Sequence, residues 1–142
     1  MARISCENRH KRVRVDIPLM KKAALAASGL LGLKEDTGIN IIFVSSQMIR
    51  SYNQKYLGKD SATDVIAFGD AGRDTESDIV ISSDRARANA KAYGTTLRSE
   101  MALYVIHGIL HFAGYRDGSP PEISKMRKAE KEILEEAGIK KI

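Results

Sequence analysis

The sequence predicts an α+β fold in which a mixed four-stranded sheet is packed with about five helices. Three observations carry this. Apolar periodicity and turn residues alternate in the order strand, helix, strand, helix, strand, strand, helix, helix, helix. Residues 39–44 (INIIFV) are apolar and mostly β-branched, the composition of a buried strand. Residues 97–113 are apolar almost all round at helical period, so that helix is buried on most sides. No linker, low-complexity tract or internal repeat interrupts the chain, and residues 1–142 are expected to form one domain.

In chain order, residues 3–8 suit a first strand. Asp16 caps the first helix, with Pro18 tolerated in its first turn, and Gly29 and Gly32 help to end it near Leu31. After the strand at 39–44, Ser45 or Ser46 caps a second helix. There Met48, Tyr52 and Tyr56 recur every four residues and predict a buried stripe. Gly58 breaks it. A polar loop (59–64) leads into a short strand at 65–68, and a second loop (69–77) into the last strand at 78–82. Ser83 or Asp84 caps a helix through Ala92, closed by Gly94. Thr95 or Thr96 opens the central helix to about Phe112. Ser119-Pro120-Pro121-Glu122 is a capping box with proline at the first helical position. The last helix runs to Ala137 before Gly138, and its alternating Lys and Glu predict a solvated face.

Bulk properties narrow the function classes. No apolar run reaches the eighteen or so residues of a membrane span. The first residues lack the apolar core of a secretion signal, so a cytoplasmic setting and no membrane partner are expected. Cys6 is the lone cysteine, which forbids an internal disulfide and suits a reducing compartment. A net charge of +5 permits a polyanionic partner such as RNA without demanding one.

The chemistry concentrates in one stretch, His107-Gly108-Ile109-Leu110-His111-Phe112-Ala113-Gly114-Tyr115-Arg116-Asp117. Residues i and i+4 share a helix face, so the two imidazoles can hold one metal ion. Gly114 can turn the chain back by adopting positive φ, which brings Asp117 to the place of a third ligand. The frame resembles the metal helix of zincins and metzincins, and it leaves an open position for water, as catalytic zinc requires. Gly108 stands where a metalloprotease carries its general-base glutamate. The expected cofactor is one divalent metal, zinc in preference to nickel or iron.

These residues also resemble the YbeY-type bacterial endoribonucleases, the rRNA maturation factors. The family frame His-Gly-x-Leu-His-x-x-Gly-Tyr-Asp-His is followed from His107 to Tyr115. A second block, Asn-x-x-Tyr-Arg-x-Lys-Asp-x-Pro-Thr-Asp-Val-Leu-Ser-Phe, is matched at Asn53, Tyr56, Lys59, Asp60, Thr63, Asp64, Val65 and Phe68. A third, Gly-Asp-Ile-Val-Ile, resembles residues 77–81. The chain departs from the pattern at six positions. Arg116 and Asp117 stand for Asp-His, Leu57 for the arginine, Ala62 and Gly69 for prolines, and Ala67 for serine.

The resemblance implies a metal-dependent single-strand endoribonuclease, acting in maturation of rRNA 3′ ends and in ribosome quality control. Its partners would be small-subunit rRNA and ribosomal or ribosome-assembly proteins. Without a glutamate at 108, the proton acceptor must lie elsewhere. Asp64 and Asp78 are the candidates, since both sit in matching blocks at strand ends, although turn carboxylates would look the same. Lys59 is the candidate phosphate contact, against a solvated loop charge. The basic cluster of His10, Lys11, Arg12 and Arg14 is a further one, against a solvated turn. Glu100, seven residues before His107 on the same stripe, could orient a ligand or simply favour the helix dipole. Two rival readings stand beside the nuclease: a non-catalytic assembly factor with a structural metal, and another small zinc hydrolase. A protease is disfavoured by Gly108.

Overall fold

The structure, a computed structural model, describes residues 2–60 and 63–140. The elements are β1 (Arg3–Asn8), α1 (Ile17–Leu30), β2 (Gly38–Val44), α2 (Ser46–Leu57), β3 (Val65–Phe68), β4 (Glu76–Ser82), α3 (Ser83–Tyr93), α4 (Leu97–Phe112) and α5 (Pro120–Ala137). The sheet order is β1-β2-β4-β3. β1, β2 and β4 run parallel, and β3 is antiparallel to β4. The chemistry of connection explains this mixture. Parallel neighbours need a helical crossover, which α1 and α2 supply, whereas β3 and β4 are joined by a short loop.

Strand alternation decides which residues reach the core. Ile39, Ile41 and Phe43 of β2 and Ile79 and Ile81 of β4 point to one face and are essentially fully buried. Against them pack Met20, Ala23, Ala24 and Ala27 of α1, and Met101, Val105, Ile106 and Ile109 of α4. Cys6 faces the same side, and burial pushes its thiol up to about 11, which leaves it unreactive at neutral pH. Helix α4 touches α1, α3, α5, β3 and β4, so its all-round apolar sequence has a physical cause. No helix among the described residues is long and apolar enough to cross a membrane.

The opposite face of the sheet is only partly covered. Helix α2 rests Ile49 on Val44, Ile66 and Val80. Its buried positions are Ile49 and Asn53, not the stripe of Met48, Tyr52 and Tyr56 expected from spacing. Met48 and Tyr56 are exposed. The apolar patch beneath α2 is small, so one narrow ridge suffices and the aromatics fall to its flank. There Tyr52 stacks on Tyr56 at 5.9 Å, and Phe68 meets Tyr56 edge-on at 5.5 Å. Beyond α2 this face is polar. Ser5 donates to Asn40 at 2.8 Å and Asn40 donates to Asp78 at 3.0 Å, a ladder across three strands.

The caps fall where the sequence places them, with small shifts. Asp16, Ser45, Thr96 and Ser119 accept from the first turns of α1, α2, α4 and α5. For α3 the cap is Ser82, which frees Asp84 for other work. Its carboxylate accepts from Ser46 N at 2.8 Å and meets His10 Nε2 at 3.0 Å, tying the starts of α2 and α3 to the first loop. Burial works against that charge, but the Ser46 N–H and His10 still hold the Asp84 pKa below its usual range. β4 begins at Glu76, two residues before the expected start, and Gly29 lies inside α1.

Gly108 lets α4 lie directly on the sheet. A Cβ there would sit 2.6 Å from Ile79 Cγ2 and 3.3 Å from Val65 Cγ2. Ile79 is fully buried and β-branched, so it has little room to yield. Alanine normally improves a helix interior by about 1 kcal/mol over glycine. Overpacking a core costs about 1–3 kcal/mol. Gly108→Ala is therefore expected to lower stability by up to roughly 2 kcal/mol in denaturant titration. A stabilised variant would mean that α4 stands off the sheet.

Candidate metal centre

Glu100, Tyr104, His107 and His111 follow at intervals of four, three and four along α4, so they share one face. That face is not packed on the sheet. It opens into a cleft of about 860 Å3, lined also by Asp64 before β3, Asn89 and Tyr93 of α3, and Arg127 and Glu130 of α5. The helix ends at Ala113, and Gly114 takes φ +104°, a conformation that side chains disfavour. Gly114 N donates to His111 O at 3.0 Å and Tyr115 N to Leu110 O at 2.9 Å, closing the turn. The chain then runs back past the helix end with Asp117 facing the histidines.

Three donor atoms converge. His111 Nε2 and His107 Nε2 are 3.0 Å apart, and Asp117 Oδ2 lies 3.4 Å from the first and 3.6 Å from the second. A tetrahedral ion with ligands at about 2.0–2.2 Å sets ligand-to-ligand edges of about 3.3–3.6 Å, close to these distances. The protonation pattern agrees. His107 Nδ1 donates to Glu130 Oε2 at 2.6 Å, which leaves the Nε2 lone pair free. A hydrogen bond to the Tyr115 backbone engages His111 in the same way. Burial and the neighbouring His107 pull the His111 pKa below its usual value, despite Asp117. Two imidazole nitrogens and a carboxylate oxygen then face one spot, an arrangement that a cation satisfies.

Glu130 was not found by sequence reasoning. It stands in the Lys/Glu-rich α5, expected to present a solvated face, yet it is 3 % exposed. Besides His107 it accepts from Arg127 Nη1 at 2.8 Å. Burial alone would raise its pKa; the bonds from His107 and Arg127 outweigh that and hold it below the usual range. A signal did exist. Met126, Glu130, Ile133 and Ala137 form the buried stripe of α5, and one position of that stripe carries a charge.

The other candidates separate. Asp64 lines the cleft, and its Oδ1 accepts from Arg85 Nε at 2.9 Å. Asp78 does not join it. Alternation with the buried Ile79 and Ile81 turns Asp78 to the polar face of the sheet, where Asn40 holds it. Lys59 follows α2, exposed, its backbone N–H bonded to Asn53 O, and is not among the cleft-lining residues. The cations at the site are Arg127 and, in an adjoining depression beside Asp117, Arg116. Glu100 is buried and accepts from Thr95 Oγ1 at 2.7 Å; the ligand-orienting place beside His107 belongs to Glu130. Leu57 is exposed on the last turn of α2, and Ala62 lies outside the described residues. Gly69 adopts φ +101°, which no proline can reach.

Gly108 also explains the missing glutamate. A side chain at 108 would meet Ile79 and Val65 at the sheet, so the space a glutamate needs there is already filled.

The chain is similar to known proteins over most of its length. The sequence profile of the family described as endoribonuclease YbeY matches residues 4–138. The endoribonuclease YbeY of Enterococcus faecalis is 35% identical over 133 residues, covering 81% of this chain and 84% of its own length. That of Alkaliphilus metalliredigens is 33% identical over 146 residues, covering 94% of each. The solution structure of a Thermotoga maritima protein superposes with a TM-score of 0.66 at 27% identity, covering 96% of this chain and 89% of the other. With profile, relatives and fold all pointing the same way, the chain belongs to the YbeY endoribonuclease family.

Proposed function

We propose that this chain is a zinc-dependent endoribonuclease that cuts single-stranded RNA. Its expected setting is the cytoplasm, in maturation of small-subunit rRNA 3′ ends and in ribosome quality control, working among ribosomal or ribosome-assembly proteins. The single unit would be residues 1–142. The observation that carries the reading is the convergence of His107, His111 and Asp117 at the floor of an open cleft in a member of an endoribonuclease family. A purely structural ion prefers a closed four-ligand site, whereas this cleft is open and Asp117 is half exposed.

Bound there, the ion would supply a Lewis acid for a phosphoryl oxygen and make water a nucleophile near neutral pH. The protein's own groups do the rest. Glu130 fixes the His107 ring and its tautomer. Arg127 and Arg116 flank the centre and neutralise phosphates on either side. Asp64, with Oδ1 engaged by Arg85, offers Oδ2 as the proton acceptor. Two imidazoles and a carboxylate suit zinc; the same set would take nickel or iron.

The test is cleavage of a single-stranded RNA by zinc-loaded protein, with binding measured across salt concentrations. Each phosphate neutralised on a single strand steepens the salt dependence by about 0.7 in log K against log salt. Leu57→Arg places a cation beside Lys55 and Lys59 on an exposed turn. It is expected to steepen the slope by about that amount and to tighten binding at low salt. Zinc-loaded protein that neither binds nor cuts single-stranded RNA at low salt would end this reading.

A further inference from the structure

The cleft extends well past the metal centre. Tyr104 lies three residues from His107 along α4, about 4.5 Å of helix rise, and Glu100 seven residues, about 10.5 Å. Across from them, Asn89 and Tyr93 stand one turn apart on α3. Between the two helices runs a chain of hydrogen bonds. The Asn89 amide donates to the Tyr104 hydroxyl, Tyr104 bonds Glu100, and Thr95 Oγ1 donates to Glu100 at 2.7 Å. Burial first, then nearby Asp64 and Glu100, push the Tyr104 pKa up, so its proton stays in place as a donor. At the rim, Tyr93 is 72 % exposed, a large aromatic left beside a polar cavity.

None of these groups serves the three ligands. We propose that they form a base-reading subsite, which takes a nucleobase stacked on Tyr93 with its exocyclic amino group toward Glu100 and Asn89, favouring adenine or cytosine over uracil. This rests on the RNA-cleavage reading above, since the subsite lies about one base's reach from a phosphate at the histidines. The chemistry sets the preference. Glu100 has spare acceptor sites, and the Asn89 amide offers a carbonyl oxygen beyond the N–H given to Tyr104. Adenine N6 and cytosine N4 are donors that such acceptors recognise. Uracil presents O4 at the matching place, which opposes a carboxylate. An aromatic platform is indifferent to base identity, so Tyr93 supplies affinity and the polar wall supplies the choice.

The experiment measures binding of the 5′-monophosphates of adenosine, cytidine and uridine to the full, zinc-loaded chain by calorimetry, beside mapped cleavage of a single-stranded RNA of mixed sequence. AMP and CMP are expected to bind at least about fivefold more tightly than UMP. Tyr93→Ala, an exposed change that the fold tolerates, should weaken all three by about fivefold or more. Glu100→Gln keeps an acceptor and adds a donor for O4, so it should erase or invert the preference. Equal affinities in the native protein, or a preference unchanged in Glu100→Gln, would overturn the subsite. Uniform cleavage at every base together with equal affinities would do so while leaving the nuclease reading intact. Selective AMP and CMP binding by a protein that cuts no RNA would keep the subsite and remove the nuclease.

Discussion

His111→Ala is expected to release the metal and to reduce RNA cleavage by about a thousandfold or more, with the fold intact. His111 sits in the last turn of α4 and supplies one of the three donor atoms that converge among the described residues. Without it, His107 and Asp117 form a two-ligand set, too few for a tetrahedral ion that must also keep a site for water. The side chain is part exposed, so its loss opens no sealed cavity and the core beneath α4 is untouched. Elemental analysis should fall from about one zinc per chain to near zero. His107→Ala should behave alike. Full metal content in both variants would mean that this helix face is not the ligand set, and cleavage persisting in a metal-free variant would identify a contaminating nuclease.

Glu130→Ala is the second large effect, and it acts at a distance from the ion. Glu130 holds the Nδ1 proton of His107, so its removal frees the ring to flip or to change tautomer and present a donor where a lone pair is required. Losing such a partner typically lowers metal affinity 10–100-fold. The variant also strips Arg127 of its carboxylate partner and leaves His107 with a buried, unpaired N–H, a stability cost of about 1–3 kcal/mol. Glu130→Gln keeps an acceptor near Nδ1 and should recover much of the affinity. The measurement is a competition titration of zinc against a chelator of known strength. Equal affinity in wild type and Glu130→Ala would show that His107 is oriented by packing alone.

The sheet, its order of elements and most helix caps were legible in the sequence because each rests on local rules: alternation, capping chemistry, a glycine past the helix end. The two histidines and Asp117 were legible for the same reason, being placed by helix period and one turn. What escaped depended on neighbours distant in sequence. Glu130 is 23 residues from His107, and only the packing of α5 against α4 brings them together. Asp78 shared a motif block with buried strand residues, but only the packing of α1 and α4 against Ile79 and Ile81 settles that its own face is the polar one. The aromatics of α2 had helical spacing without burial, because spacing fixes a shared face and not what covers it.

The position of the third ligand separates folding from metal uptake. His107 and His111 ride on a helix whose other sides bury Met101, Val105, Ile106, Ile109 and Leu110, contacts that exist with or without an ion. Asp117 instead hangs on a short exposed segment beyond the Gly114 turn. A segment of that kind opens locally at little free-energy cost, while α4 opens only with the whole core. An ion held there would enter and leave by the swing of one carboxylate over a scaffold that stays folded. In that respect this chain is the reverse of a zinc finger, whose structure is assembled by its metal. An ion taken up there would be loaded onto a helix whose packing does not depend on it.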